Sequence, residues 1–379
     1  MGSDTGEPSN DLLAHIAWSR ITEPGDTVAH TLIRALGAVP AFDWLATTSA
    51  TSPPGAPPDP RWEKTASNWR ARLSGLDPRR EYSVITGLGG AVLTARDPRW
   101  PTQLHDLGER APLCLWVRGD ARALNRAGVG IVGARACTRY GERIAQELGS
   151  GASQAGLTVI SGGAFGIDAA AHRAALANGS ATIAFQAGGV DRFYPVAHTD
   201  LLGRVCESGA VVSEAPPGSA PMRQRFLMRN RLIAALSTAV VVVEASWRSG
   251  ALSTARHAAD LMRPVGAVPG PVTSMASAGC HRLLRDGMAV CVTDAGEMLE
   301  LAGPLAPDPD PQTTQEGFLD GLDGEAARVL DAFPARSGTT TDALVHVAGL
   351  APKTVVRALG TLQLAGRIKR EGGQWKRRP

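Results

Sequence analysis

The sequence lacks the patterns of a membrane protein, a secreted protein and a zinc protein. It contains no apolar run of roughly 18 residues, so we expect no membrane span. The N-terminal stretch MGSDTGEPSNDLLAH is acidic and has no apolar segment of the kind found in secretory signals. The five cysteines are scattered and never spaced as Cys-x-x-Cys, which argues for reduced thiols and against zinc. We therefore expect a cytoplasmic protein without a bound metal.

Motifs for nucleotide cofactors are missing or misplaced. No GxxxxGK[ST] motif is present, which excludes a P-loop. GVGIVG (128–133) matches GxGxxG by letter, but its glycines fall within a predicted strand instead of the turn after it. The next predicted strand ends in SGG and not in the acidic residue that would bind a ribose. We therefore expect no dinucleotide and no other cofactor.

Candidate catalytic groups are few. Asp168 and His172 lie one helical turn apart, a spacing that more often serves structure than catalysis. Glu244 ends an apolar strand, where it is either a base or, as we favour, an anchor for a neighbouring loop. His257 and His281 show no spacing typical of a metal site or a catalytic triad. The sequence predicts a binding protein and not an enzyme.

Charge is distributed unevenly along the chain. The net charge is +3, but residues 351–379 contain eight Lys and Arg and one acid, Glu371, so this end carries +7 and the rest carries −4. A basic end on a near-neutral body is typical of a protein with a polyanionic partner. It is equally typical of a solvated tail, so charge alone leaves both interpretations open.

Residues 1–75 are predicted to form a helical module. Apolar residues recur at helical spacing at Leu12, Leu13 and Ile16 and again at Leu32, Ile33 and Leu36. The loop TTSATSPPGAPPDP, rich in proline, serine and threonine, separates them from a further predicted helix at 62–74. EYSVITGLGG (81–90) and PLCLWVRGD (112–120) are predicted to be short strands.

Residues 76–302 are predicted to form an α/β domain. Strands are predicted at 130–134, 157–162, 181–188, 209–214, 238–245, 263–270 and 288–292, with helices at 140–155, 166–178, 225–236 and 250–262. Several strands are apolar almost throughout, which is typical of parallel strands covered on both faces. The alternation predicts a Rossmann-like, doubly wound and mostly parallel sheet.

The C-terminal part is predicted to be a separate module. GPLAPDPDPQTTQE (303–316) has the composition of an extended linker. Residues 317–379 then contain three helix-sized segments, at 323–333, 339–348 and 352–365. The final GRIKREGGQWKR has the pattern of a β-hairpin around Gly372-Gly373. Three helices followed by a hairpin predict a winged-helix domain.

The turns after the parallel strands are the candidate binding site, because ligands of open α/β sheets bind beyond the carboxyl ends of the strands. SGGAFGID (161–168) and SWRSGAL (246–252) are glycine-containing turns that lead into predicted helices, and Arg135 follows another strand. Glycine allows close backbone approach, and a helix N-terminus offers unpaired N–H donors. These features predict a row of anion sites along one sheet edge.

The segment MRQRFLMRNRLIAAL (222–236) adds four arginines just before a strongly apolar strand: Arg223, Arg225, Arg229 and Arg231. Because the predicted helix precedes that strand, some of these arginines are expected to face solvent or to pair with acids. Phe226 lies among them and is either a stacking surface for a base or a core residue. The cluster predicts an anionic ligand.

Several motifs, in fixed order, resemble the DNA processing protein A family (DprA, also called Smf) over nearly the whole chain. They are ARDPRWPTQLHDLGERAPLCLWVRGD (95–120), GIVGARACTRYG (130–141), VISGGAFGIDAAAHRAAL (159–176), GAVVSEAPPG (209–218), FLMRNRLIAALSTAVVVVEASWRSGALSTARHAA (226–259) and AVPGPVTSMASAGCHRLLRDG (267–287). The sequence departs from the usual family pattern at Gly163 and Phe165, around Gln186, and at Cys280-His281. The turn glycines are kept, so base preference is the property left open.

The resemblance implies a Rossmann-like domain that binds single-stranded DNA, forms a homodimer and delivers the strand to the RecA recombinase in natural transformation. It implies an N-terminal module related to SAM or helix-hairpin-helix domains, a C-terminal winged helix, and no enzymatic activity. DNA contacts are expected from Arg135, Ser161, Gly162, Gly163, Arg229, Asn230, Arg231, Ser249 and Gly250, with Phe226 as a stacking candidate. Lys353 and Arg357 mark a second candidate DNA surface, or a protein-docking surface, on the winged helix.

Two other functions stay open at this stage. Some Rossmann-like proteins split N-glycosidic bonds of nucleotides at a PGGxGT turn, but the comparable EASWRSGALST here lacks the paired glycines and the following Glu. A transcription regulator acting through residues 317–379 would leave the α/β domain without a role.

Overall fold

The computed structural model describes residues 7–47, 53, 55, 61–303, 324–334, 338–371 and 373–377. The chain divides into two compact units, Met1–Leu305 and Ala306–Pro379. Except for Gly303, the predicted linker at 303–316 lies outside the described residues, and the predicted boundary near residue 75 stays a prediction. Over the described ranges, no helix is both long enough and apolar enough to cross a bilayer.

The first unit begins with five helices, of which the first four lie in the part predicted to be helical. They are α1 Asn10–Ile21, α2 Thr27–Leu36, α3 Ala38–Thr47, α4 Trp62–Arg70 and α5 Pro78–Gly87. Trp18 and Trp69 pack edge to face with ring centroids 5.2 Å apart at the centre of this module. Asp26 caps α2 through the N–H groups of Val28 and Ala29 and also accepts from the Trp69 indole. One carboxylate therefore joins the start of α2 to the tryptophan core.

The predicted strand at EYSVITGLGG is wrong for most of its length, because residues 78–87 form helix α5. The helix starts on Asp77, whose carboxylate accepts from the N–H of Arg80, with Pro78 in the first turn. An Asp-Pro start is a strong helix signal, and it outweighs the β-branched residues that follow. The strand begins only at Gly90.

Within the described part of the chain, nine strands form one sheet in the order β1-β2-β6-β5-β4-β3-β7-β8-β9. They are β1 Gly90–Leu93, β2 Leu115–Gly119, β3 Gly128–Val132, β4 Thr158–Ser161, β5 Thr182–Gln186, β6 Ala210–Ser213, β7 Ala239–Val242, β8 Val265–Ala267 and β9 Val290–Cys291. In this order, each strand from β6 to β9 is parallel to the next. At the other edge, β2 is antiparallel to both β1 and β6. The predicted doubly wound, mostly parallel sheet is confirmed.

Helices cover both faces of the sheet. They are α6 Arg139–Gln154, α7 Ile167–Ala177, α8 Thr199–Ser208, α9 Arg223–Leu236, α10 Ala251–Asp260, α11 Ala278–Arg285 and α12 Ala295–Ala302. One core contains buried residues of α6, α7 and α12, and another contains those of α9, α10 and α11. This double covering is why the strands are apolar on both sides. Helices α8, α11 and α12 were not predicted from the sequence.

The sheet order reverses between β3 and β7. From β3 the chain adds β4, β5 and β6 on one side, and it then returns to add β7, β8 and β9 on the other. Residues Val129 to Val132 of β3 pair in parallel register with Ala239 to Val242 of β7. Such a reversal opens a crevice at the carboxyl ends of the two central strands.

The second unit has the predicted winged-helix arrangement. Its elements are α13 Gly324–Asp331, α14 Thr341–Ala348, α15 Pro352–Leu364, β10 Ile368–Glu371 and β11 Gln374–Arg377. The two strands form an antiparallel hairpin, and the three helices pack around Leu330, Leu344 and Leu359. This unit therefore has a core of its own.

Candidate nucleic-acid interface

A groove opens where the sheet order reverses, and we call it the arginine groove. It has a volume of about 600 Å³. Its wall is formed by residues after β3 and β4, by helix α9 and by the start of α10: Val132, Gly133, Arg135, Ala164, Asp168, Arg223, Phe226, Leu227, Arg229, Asn230, Ile233, Arg248, Ser249, Gly250, Ala251 and Thr254. This is the position at which open α/β sheets bind ligands.

The groove is strongly positive. Among the described residues that line it, four are arginines and one, Asp168, is an acid. Arg135, Arg223 and Arg248 are exposed at its rim, whereas Arg229 lies buried at its base. Cations that converge on one concave site raise the local concentration of anionic ligands. Arg223 and Arg248 were not among the predicted contacts, although Arg248 directly precedes the predicted Ser249-Gly250 turn.

Arg229 is the central cation of the arginine groove. Its side chain is 6% exposed, and its Nη1 donates to the carbonyl of Phe185 at 2.5 Å. Its Nε is buried and has no hydrogen-bond partner. Burial lowers the pKa of Arg229 to about 10, against the opposing charge of Asp168, so the group is still protonated at neutral pH. A buried cation with an unused donor is suited to binding an anionic oxygen.

The turn after β4 packs against the guanidinium of Arg229. A Cβ added at Gly162 would lie 2.0 Å from Nη1 of Arg229, so only glycine leaves room for the guanidinium. The N–H groups of Gly162 and Ala164 both donate to Asp168 Oδ2. Ser161 is fully buried and donates to the carbonyl of Ile131.

The prediction that this turn offers free donors to an anion therefore needs correction. The Ser161 hydroxyl and the Gly162 amide are already used within the protein, and Ser161, Gly162 and Gly163 do not line the arginine groove. Gly163 has a φ of +66° and its carbonyl lies 3.1 Å from the His198 ring nitrogen Nδ1. The turn therefore acts by leaving space for Arg229 at Gly162, while the amides of Gly162 and Ala164 are held by the Asp168 carboxylate.

The second predicted turn does face the arginine groove. Helix α10 starts at Ala251 after Gly250, which as glycine has no side chain to cap the helix, and a Cβ at Gly250 would meet open space. The Ser249 hydroxyl accepts from the N–H of Ala251, and the Asn230 amide donates to the carbonyl of Gly250. Because the N–H groups of Ala251, Leu252 and Ser253 already have partners within this turn, the turn offers the groove the open backbone at Gly250 rather than free donors.

Phe226 forms an aromatic wall of the arginine groove. Its ring lies 4.8 Å from the Arg135 guanidinium carbon, 5.9 Å from that of Arg229, and 5.6 Å from the Tyr194 ring. The residue is half-buried, and Tyr194 is 41% exposed. The structure therefore places Phe226 at a solvent-facing site among cations and not in the core.

Arg231 does not reach the arginine groove. Its guanidinium is fully buried, donates to both carboxylate oxygens of Glu214 and contacts the carbonyls of Arg110 and Met228. Arg225 pairs instead with Glu23. The four arginines of α9 thus divide: Arg223 and Arg229 line the groove, whereas Arg225 and Arg231 pair with acids of the protein. We therefore remove Arg231 from the predicted interface.

Glu244 anchors the loop that carries Arg135, which confirms the interpretation favoured from the sequence. Its carboxylate accepts from both the backbone N–H and the hydroxyl of Thr138, at 2.9 Å and 2.6 Å. The residue is buried, and a Cβ at Gly141 would collide with it. The loop is held at one end by β3 and at the other by this carboxylate.

Asp168 and His172 are not bonded to each other. Burial raises the pKa of Asp168, opposed by the charge of Arg229 and by the N–H groups of Ala164 and Gly162. The Nδ1 of His172 lies 2.7 Å from the hydroxyl of Thr182, and burial lowers the pKa of His172 to about 3. Both side chains therefore serve structure, as expected from their spacing.

In the second unit, the two predicted DNA contacts lie on helix α15. Lys353 and Arg357 are both exposed. Arg357 forms an ion pair with Glu325 of α13, so its charge is partly used within the unit. Lys353 is the freer of the two.

Fold and groove together define a class of protein: a Rossmann-like α/β domain with a cationic crevice at its sheet reversal, and a winged-helix unit. Residues 91–303 match the model of the DNA recombination-mediator protein A family, and residues 304–374 match the DprA winged helix domain. The chain belongs to the DNA recombination-mediator protein A family, in agreement with the resemblance noted from its motifs.

Relatives and solved structures agree with this assignment. A Mycobacterium tuberculosis DNA processing protein DprA is 39% identical over 95% of this chain and 93% of its own length, and Escherichia coli Smf is 37% identical over 70% and 72%. The structure of DprA from Streptococcus pneumoniae matches with a TM-score of 0.63 at 28% identity, over 78% of this chain and 98% of that one. A Helicobacter pylori DprA structure, described by its single-stranded DNA binding mode, matches with a TM-score of 0.51 at 27% identity, over 56% and 96%.

Proposed function

We propose that the arginine groove binds single-stranded DNA. The observation that carries this proposal is Arg229, a buried guanidinium at the base of an open groove with Nε unpartnered. Phosphate oxygens would bind there, and at the rim arginines Arg135, Arg223 and Arg248. Because these contacts involve the backbone of the strand, binding would tolerate different sequences.

The aromatic wall favours an unpaired strand over a duplex. Bases stack on aromatic side chains only when their faces are free, and in a duplex the neighbouring base pairs cover those faces. The Phe226 ring stands beside the Arg135 and Arg229 guanidinium groups, so a base and its phosphate would bind together. The single-stranded DNA binding mode described for the Helicobacter pylori relative supports the same ligand class.

The groove is proposed to hold DNA without cleaving it. Its one lining carboxylate, that of Asp168, accepts from two backbone N–H groups, so it is not placed to act as a general base. Hydrolysis would need an activated water or a nucleophile beside the phosphate. The described groove lining offers the hydroxyls of Ser249 and Thr254 but no His, Lys or Cys to activate them.

The finer parts of the function are proposed from the family. A recombination-mediator protein would protect the strand and deliver it to a RecA-type recombinase, and the family resemblance extends this to a homodimer. The proposed domain division is an N-terminal helical module at 1–75, the Rossmann-like domain at 76–302 and the winged helix at 317–379. A reducing, cytoplasmic location is supported by five unpaired cysteines.

The winged-helix unit is proposed to provide a second DNA surface through α15, in which Lys353 is exposed. Helices at this position in related DNA-binding folds enter the major groove of a duplex. Lys353→Ala is expected to weaken duplex binding and to leave single-strand binding unchanged. An unchanged duplex affinity would favour a protein-docking role.

The test of the main proposal is a titration of labelled single-stranded and duplex oligonucleotides at several salt concentrations. We expect tighter binding of the single strand, and a log–log salt slope of about −0.7 for each phosphate contacted. A salt-independent affinity, or a preference for duplex that persists in Lys353→Ala, would contradict the proposal. Release of free base from nucleoside monophosphates would instead point to a hydrolase.

A further inference from the structure

A tight turn stands between the arginine groove and helix α11. The N–H of Ser249 donates to the carbonyl of Ser246 at 3.0 Å, which closes a four-residue turn with Trp247 and Arg248 at its centre. The N–H of Gly279, in the first turn of α11, donates to the carbonyl of Ala245 at 2.7 Å. The turn is therefore fixed on one side by β7 and on the other by α11.

Trp247 is more exposed than most of the other tryptophans in the described residues. Its residue is 49% exposed, whereas six of the other tryptophans in the described residues are at most 7% exposed. The guanidinium carbon of Arg282 lies 5.1 Å from the Trp247 ring, and Arg282 is itself paired with Asp286. Tryptophan is usually well buried, so core packing does not explain an exposed indole that contacts an arginine.

The position of Trp247 supplies a reason for its exposure. Trp247 does not itself line the arginine groove, but Arg248, Ser249 and Gly250 of the same turn do, so the exposed indole stands next to the groove on the side of α11. We propose that the bound strand leaves the groove over this turn, with one base stacked on Trp247 and the adjoining phosphate contacted by Arg248. This inference rests on the proposed function of the groove.

The chemistry of the turn matches such a ligand. An indole offers a large flat face to any base, and stacking of this kind is tolerant of sequence. Arg282 restrains the ring before binding, so less side-chain freedom is lost when a base stacks on it.

The experiment compares two ligands of equal length, an oligothymidylate and an abasic oligonucleotide with the same sugar–phosphate backbone. Trp247→Ala should lower the affinity for the oligothymidylate about 5- to 150-fold and leave the affinity for the abasic ligand unchanged. Its salt slope should equal that of the unmodified protein, and Trp247→Phe should restore most of the affinity. Leu88→Ala, at an exposed apolar residue beside the distant edge strand β1, is the matched control.

Each outcome decides between specific alternatives. If Trp247→Ala binds both ligands as the unmodified protein does, the stacking role is wrong while the groove proposal stands. If Trp247→Ala weakens both ligands equally, Trp247 acts by supporting the turn and the inference is again wrong. If the unmodified protein binds neither ligand, the proposed function itself has failed.

Discussion

The guanidinium of Arg231 lies 2.8 Å from a carboxylate oxygen of Glu214, and the arginine side chain has no exposed surface. The same carboxylate accepts from the backbone N–H of Gly25 at 3.1 Å, in the loop before α2. One ion pair thus joins helix α9, the end of β6 and the N-terminal module. Its place between these elements explains why Arg231 is conformationally fixed and yet unavailable to DNA.

Arg231→Ala should destabilise the protein and leave DNA contacts intact. The substitution leaves Glu214 without its buried partner, which typically costs about 3–5 kcal/mol. The free energy of unfolding in urea measures the loss. The salt slope of the fraction that stays folded should not change.

Arg225→Ala is the matched control for this ion pair, since Arg225 also lies on α9 and also pairs with an acid, Glu23. Its partner Glu23 is 44% exposed, so the pair should contribute at most about 1 kcal/mol. If Arg231→Ala instead kept full stability and lowered the salt slope, the phosphate role expected from the sequence would stand.

Arg248→Ala should reduce the number of phosphates bound. Arg248 is exposed at the rim of the arginine groove, so its removal is not expected to affect folding. The log–log salt slope of single-strand binding should become less steep by about 0.7, the value for one phosphate. Fluorescence anisotropy at several salt concentrations gives this slope directly.

The control for Arg248→Ala is Arg79→Ala, an exposed arginine at the start of α5. Both variants change the net charge by the same amount, so a general electrostatic effect would lower the affinity equally in both. Equal slopes for the two variants would remove Arg248 from the interface.

Gly162→Ala should weaken binding by displacing Arg229. The new Cβ would lie 2.0 Å from Nη1 and 2.6 Å from Cζ of that guanidinium, which is buried and cannot move without breaking its bond to the Phe185 carbonyl. Overpacking of this kind costs about 1–3 kcal/mol of stability. We expect a lower melting temperature together with lower single-strand affinity.

Gly203→Ala provides the comparison for Gly162→Ala. Gly203 lies within helix α8, and a Cβ there would meet no atom within 4 Å. Alanine should therefore be neutral or slightly stabilising at that position. Wild-type affinity in Gly162→Ala would show that the position of Arg229 does not determine binding.

The sequence was sufficient to predict the sheet because its strands are apolar and its turns contain glycine. The edge of the sheet and the roles of the site residues could not be predicted in the same way. Nothing in EYSVIT distinguishes a helix from a strand except the Asp-Pro pair before it. Likewise, the spacing of Arg229 and Arg231 on a helix directs them to different faces, but only the packed helix shows that Arg229 faces the groove and Arg231 faces Glu214. Long-range partners decide the role of each arginine.

The glycine turn after β4 is a second case in which the sequence alone did not show the hydrogen-bond partners. Its sequence has the features of an anion site, because a glycine turn that leads into a helix would, taken alone, offer free amides. Asp168, six residues after Gly162, bends back to accept from the two amides. An acid at that spacing is the signal by which the sequence would have indicated an internally satisfied turn.

His172 should make stability depend on pH. Its Nδ1 contacts the Thr182 hydroxyl, which in turn donates to the carbonyl of Val159, and its Nε2 is buried without a partner. Burial, together with the charge of Arg229, lowers the pKa of His172 to about 3. The folded protein therefore keeps this imidazole neutral at pH values where the unfolded chain protonates it.

Because the folded pKa lies below that of an unfolded histidine, the contribution of His172 to stability is complete above about pH 6.5 and is lost as the pH falls toward 3. In this interval the free energy of unfolding should fall by up to about 1.4 kcal/mol per pH unit from this group alone. His172→Gln, which keeps a donor for Thr182, should make that pH dependence shallower by about one proton, whereas His105→Gln at an exposed position should not. Urea unfolding measured at several pH values tests this, and parallel curves for the native protein and His172→Gln would mean that the imidazole is protonated equally in both states.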